Sequence, residues 1–117
     1  NFECNAAGKM YIACGMTREG RKQVAAIHYH NVKRWTSFGR KTFKEKNGRQ
    51  TWEVALIIPL DVMTSHHLRH PRGMTMRANF YKCGDKLAKP HFLSWNPVDC
   101  DHPDFHRPSS FGKITFV

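Results

Sequence analysis

Pro90-His-Phe-Leu-Ser-Trp-Asn-Pro97 is the run on which the reading of this chain turns. It lies within Met76 to Gly112. Before it comes Arg77-Ala-Asn-Phe-Tyr-Lys-Cys-Gly-Asp85, which alternates like a strand ending in a Gly-Asp turn. After it comes Phe111-Gly-Lys-Ile-Thr-Phe-Val117, which reads as a closing strand. Four of the six prolines fall between the two, with Trp95, Phe92, Phe105, His91, His102 and His106. Surface loops normally carry Gly, Asn, Asp and Ser, so large rings in one need a reason. One reason is that the segment folds back and plugs the end of a sheet sandwich, which the composition favours. The other is a binding platform: prolines remove backbone freedom, and the rings are held out at little ordering cost.

Working outward, Phe2-Glu-Cys-Asn5 and Met10-Tyr-Ile-Ala-Cys14 read as a hairpin turning at Gly8. Met16 to Lys22 is a polar turn, and Val24-Ala-Ala-Ile-His-Tyr-His30 the next expected strand, wet on one side. Asn47-Gly48 is a strong hairpin signal, predicting that Thr42-Phe43-Lys44 pairs with Gln50 to Ile58. Trp52 to Ile58 is the most apolar segment and the expected central strand, ended by Pro59. Leu60 to Leu68 is expected to make one or two helical turns. Many short strands with Gly, Asn and Pro turns predict an all-β, antiparallel sandwich.

A chain of 117 residues suits one domain over 1–117. Its net charge of +10 is uneven, the first fifty residues carrying 11 Lys/Arg against 3 acidic residues. Such a balance invites a basic nucleic-acid-binding or structural interaction module as the alternative function. The cations at Lys33-Arg34, Arg40-Lys41, Lys44, Lys46 and Arg49 are nevertheless scattered singly among turn residues, the pattern of solvated strands and loops. A nucleic-acid partner is therefore not the expected one. No apolar run reaches the length of a membrane span. Cys4, Cys14, Cys83 and Cys100 lack CxxC spacing, and their pairing is open between disulfides and free thiols.

The residues quoted above carry a resemblance. Asn79-Phe-Tyr-Lys-Cys-Gly-Asp85, Pro90 to Pro97, Pro103-Asp-Phe-His-Arg-Pro108 and Phe111-Gly112 resemble the carboxy-terminal signature of the family 9-like carbohydrate-binding modules. Asn1 to Gly8 with Arg18 and Arg21, and Trp52 to Pro59, are similar to earlier strands of that family. The resemblance implies a β-sandwich that binds sugar and is not itself catalytic, associated with polysaccharide-handling proteins of bacteria. It implies a periplasmic, cell-surface or secreted location. Several family strands normally precede the equivalent of Phe2. The sandwich is therefore expected to be incomplete on its N-terminal side, and to be completed by the same protein or another chain. No cofactor is called for; the resemblance admits calcium, with no ligand assigned.

Trp95 is the expected sugar platform, since pyranose C–H faces stack on aromatic rings and indole adds an N–H donor. Asn96, His91 and Arg107 are the expected hydroxyl partners, and Arg18 and Arg21 match an arginine pair of the family. Two metal readings exist, at Cys100-Asp-His102 with His106 and at His66-His67 with His70, but neither has paired ligand spacing. Cys83 or Cys100 with a His would make a nucleophile pair, and Asp99 with Asp101 a carboxylate pair. Neither arrangement shows the third group or the cleft that catalysis needs.

Overall fold

The computed structural model describes residues 1–63, 65, 66 and 68–117. The chain forms two compact units, Asn1–Arg69 and His70–Val117. Every strand pairing among the described residues is antiparallel. No helix among them is long and apolar enough to cross a membrane.

In the first unit, strands β1 (Phe2–Cys4), β2 (Met10–Cys14) and β3 (Lys22–Gln23) form one sheet in that order. The β1–β2 register, Phe2 opposite Ile12, is that of the expected hairpin. Its turn is set by Asn5, whose Oδ1 accepts from the Ala7 and Lys9 amides at 3.1 and 2.9 Å. Gly8 completes it at φ +71°, a conformation L side chains rarely adopt.

The expected strand over 24–30 is instead a single helical turn, α1 (Ala26–Tyr29). Ala25 and Ala26 are strong helix formers, and the Val24 amide leaves the sheet with a bond to Ile12 O. Ile12, Val32 and Val62 make the small core, with Met10, Val24, Tyr29 and Ile58 packed around it. Leu60–Val62 is one 3-10 turn of the expected helical segment; Thr64 and His67, within that segment, lie outside the described residues.

Asn47-Gly48 bends the chain, Gly48 having φ +74°, but makes no hairpin. Strand β4 (Lys33–Thr36) pairs with β5 (Val54–Ile57), so residues 42–44 do not meet 50–58. Nor is β5 central: it sits in a two-stranded sheet, with Val54 and Ile57 exposed. Local turn chemistry lost to the better strand formers further out, because the segment between is almost wholly charged and polar.

In the second unit, β6 (Thr75–Ala78) pairs with β9 (Gly112–Thr115) and β7 (Tyr81–Cys83) with β8 (Phe92–Ser94). The strand expected over 77–85 is thus broken at Asn79-Phe80, and the middle of the Pro90–Pro97 run is a strand rather than a loop. Ring packing in this unit gathers on Phe105, between Phe92 of that run and Tyr81 of β7. Tyr81 stacks on Phe105 at 4.2 Å between centroids, with Phe92 edge-on to Phe105 at 6.1 Å.

Candidate functional site

The break at Asn79 organises the second unit. Asn79 Oδ1 accepts from the Phe80 and Asn96 amides, both at 2.9 Å. Its Nδ2 donates to Asn96 O at 2.8 Å and Ser110 O at 3.2 Å. Asn96 Nδ2 donates to the same Ser110 carbonyl at 2.9 Å. One side chain therefore ties the β6–β7 kink, the residue after Trp95 and the turn before β9, using both donors and its acceptor oxygen twice. Arg77 adds a fork, donating to Phe111 O through Nε and Nη2 (3.1 and 2.8 Å) and to Ser109 O at 3.1 Å.

Trp95 is mounted on this knot. Its amide donates to Phe80 O at 2.9 Å, and its indole lies over the backbone of Gly112. A Cβ placed there would stand 2.8 Å from Cζ3, closer than real contacts allow. Phe80 meets the indole edge-on at 5.7 Å. Trp95 is 54% exposed and Phe80 62%. Large rings on a surface normally shed that area into a core. Here both stay more than half exposed, with Trp95 resting on Gly112 and Phe80 on its edge.

The other expected partners are already anchored. His91 Nε2 faces Lys82 Nζ at 3.1 Å and its Nδ1 faces Lys89 O at 3.1 Å. An ammonium only donates, so Nε2 accepts and Nδ1 carries the proton. The ring also covers Gly84, where a Cβ would come within 3.0 Å of Cε1. Arg107 reaches Asp104 Oδ2 at 3.4 Å and Asp99 O at 3.1 Å, fixing the loop before β9. His91 and Trp95 stand at opposite ends of β8.

Arg18 and Arg21 belong to the first unit. Arg21 donates to Arg18 O at 3.2 Å and Asn1 Oδ1 at 3.3 Å, and lies 3.7 Å from Glu3 Oε1. It braces the edge of β1. Asn79 opens the Asn79–Asp85 motif, yet no role for it follows from the sequence alone. The available signal was an amide side chain placed just before two aromatic residues in an otherwise alternating strand.

Catalytic and metal readings find little here. No disulfide forms among the described residues. The Cys100 thiol donates to the His102 carbonyl at 2.8 Å, not to an imidazole. Burial pushes the Cys4 thiol up, against a smaller opposing effect of Arg34, which makes it a poorer nucleophile. An open cleft of about 570 Å³ in the first unit holds Cys14 Sγ 3.5 Å from Ser65 Oγ. Two weak nucleophiles side by side supply no base. Among the described residues no group of three His, Cys, Asp or Glu is placed to hold a metal. The His66-His67-His70 cluster is not described in full, since His67 lies outside those residues.

Residues 1–116 match carbohydrate-binding family 9. The crystal structure of a candidate carbohydrate-binding protein from Bacteroides uniformis superposes at TM-score 0.93 with 43% sequence identity. That similarity covers all of this chain and 54% of the other, so the chain spans about half the length of the Bacteroides protein. No curated protein matches the chain significantly. The antiparallel all-β class read from the sequence, that of a β-sandwich carbohydrate-binding module, is borne out.

Proposed function

Since the chain belongs to carbohydrate-binding family 9, we propose that it binds saccharides without turning them over, stacking a sugar ring on Trp95. The exposed indole seated on Gly112 carries this reading. A face held by backbone bonds costs little ordering when a ligand arrives, so C–H/π contact is retained as affinity. Phe80 widens the apolar surface. Asn96, His91 and Arg107 supply polar groups on the same unit, each held by its own hydrogen bonds. Arg18 and Arg21 serve the first unit's β1–β3 corner. The setting is extracytoplasmic: periplasmic, cell-surface or secreted.

The test is glycan-array screening followed by calorimetry on the intact protein and on Trp95→Ala. Expected are dissociation constants of roughly micromolar to millimolar, about 4–8 kcal/mol, and loss of binding in the variant. Because the ring is half exposed, its removal should cost about 2 kcal/mol of stability, below the ~3–5 of a buried aromatic. Undiminished saccharide binding by Trp95→Ala would refute the platform.

A further inference from the structure

Residues 37–53 form the feature that the sugar reading leaves unused. They join β4 to β5 as a seventeen-residue loop without strand or helix. Loops of that length inside compact units are uncommon and usually functional. This one is built. At its base the Ser37 amide donates to Glu53 O at 3.1 Å and the Glu53 amide returns to Ser37 Oγ at 2.9 Å. Thr36 Oγ1 donates to Gly39 O at 2.8 Å. Inside, Phe38 and Phe43 meet edge to face at 5.3 Å, with Lys46 Nζ over both rings at 5.2 and 5.7 Å. Near the tip, Gln50 Nε2 donates to Asn47 O at 2.8 Å.

Arg40, Lys41, Lys44, Lys46 and Arg49 are all exposed on this loop, and Glu45 is the one carboxylate between its stem residues. Like charges gathered on one loop repel one another and oppose folding. A paired base and an aromatic interior that hold them together nonetheless make a surface for a polyanion. Two chemistries fit a polyanion of regular charge spacing, nucleic acid and acidic polysaccharide. Binding single-stranded nucleic acid leans on exposed rings for base stacking. Here Phe38 is half-buried, and Phe43, though 39% exposed, shares with it the ammonium of Lys46 over its face, so no open ring is left for base stacking.

We propose that the 37–53 loop is a second binding element that selects acidic polysaccharides, meeting uronate carboxylates or sulfate esters with its lysines and arginines. The proposal rests on the carbohydrate reading above and adds the ligand's charge to it.

The experiment uses the intact protein against polygalacturonate, dextran sulfate and neutral dextran, plus the best neutral saccharide from the array, at about 50 and 500 mM NaCl. A loop variant combines Arg40→Ser, Lys41→Ser, Lys44→Ser and Arg49→Ser, leaving Lys46 on its rings. A charge-matched control combines Arg69→Ser, Arg72→Ser, Lys86→Ser and Lys89→Ser. Wild type should bind the acidic polymers more tightly than dextran, and the difference should collapse at high salt. The loop variant should lose roughly tenfold on acidic polymers, as removal of several exposed ion pairs would give. It should keep its affinity for the neutral saccharide, and the control should resemble wild type. Which acidic polymer leads separates carboxylate from sulfate ester.

Equal loss in the control, equal binding of acidic and neutral polymers, or displacement of polygalacturonate by a lower concentration of DNA oligonucleotide would overturn the proposal while leaving the sugar platform standing. Binding of no glycan of either kind would overturn both. Acidic-polymer binding that survives Trp95→Ala but not the loop variant would support the loop and remove Trp95.

Discussion

Asn79→Ala is the most informative single change in the second unit. Alanine removes four hydrogen bonds: those accepted from the Phe80 and Asn96 amides and those donated to Asn96 O and Ser110 O. A net hydrogen bond is worth about 0.5–1.5 kcal/mol, and a buried group left unpaired costs about 1–3. Phe80 is exposed, so water replaces its lost acceptor cheaply. The Asn96 amide and the Ser110 carbonyl are part-buried, and Asn96 Nδ2 still reaches the latter. The Asn96 amide therefore contributes about 1.5 kcal/mol and the other three about 0.5 each, so the variant should lose about 3 kcal/mol. Urea unfolding of the intact protein, followed by tryptophan fluorescence, measures this through the midpoint at unchanged slope. Asn79→Asp keeps both accepted bonds but sets a carboxylate oxygen against two carbonyls, so it should be destabilised too, and less so as acid protonates it. A loss below about 0.5 kcal/mol in the alanine variant would refute the view that this amide holds Trp95 in place.

Gly112→Ala drives a methyl group into the indole, so saccharide affinity should fall several-fold while stability drops by about 1–2 kcal/mol; calorimetry and thermal melts separate the two. Tyr81 has a buried hydroxyl that makes no hydrogen bond to any described residue. Tyr81→Phe should therefore be neutral or stabilising by up to about 1 kcal/mol in denaturant titration. Burial also pushes the Tyr81 phenol above its ordinary value of 10.0, opposed by the neighbouring Asn79 amide, whose donors are already committed to Asn96 O and Ser110 O, and reinforced by Asp104. Above that pH the unfolded chain loses the proton first, so stability should fall as pH climbs toward the raised native value. Titrating both proteins should show a shallower fall in Tyr81→Phe. Gly84→Ala should displace His91 and Leu87, each 3.0 Å from the new Cβ, and release the His91–Lys82 contact, visible as a shifted imidazole resonance.

The elements legible in the sequence were those marked by alternation, the first hairpin and the closing strand, whereas β8 was hidden by the prolines on either side of it. The Phe2–Cys14 hairpin announces itself by alternation and by a Gly at the one position needing positive φ. The β4–β5 pairing spans a seventeen-residue loop, and no local signal outweighed Asn47-Gly48. Ala25-Ala26 carried helix propensity that the neighbouring Ile27 to His30 alternation masked. At the site, Trp95 stood out because exposed aromatic surface is costly and prolines flank it. Asn79 did not, because an amide that satisfies backbone groups looks in sequence like any turn residue. His91 and Arg107 were legible as polar residues beside Trp95, but not their existing bonds to Lys82, Lys89, Asp99 and Asp104.

The pairing of β6 with β9 has a kinetic side. Tyr81 meets Ser94 thirteen residues on, whereas Thr75 and Thr115 are 40 apart. Closing the short span loses less chain entropy, so the β7–β8 hairpin should assemble before β9 docks. Gly112, the floor under the indole, belongs to the later element. Until it arrives, Trp95 and Phe80 are bare apolar rings on a half-formed hairpin, open to other chains as well as to sugar. The last step of this unit's folding is thus also the step that turns a sticky intermediate into a selective surface.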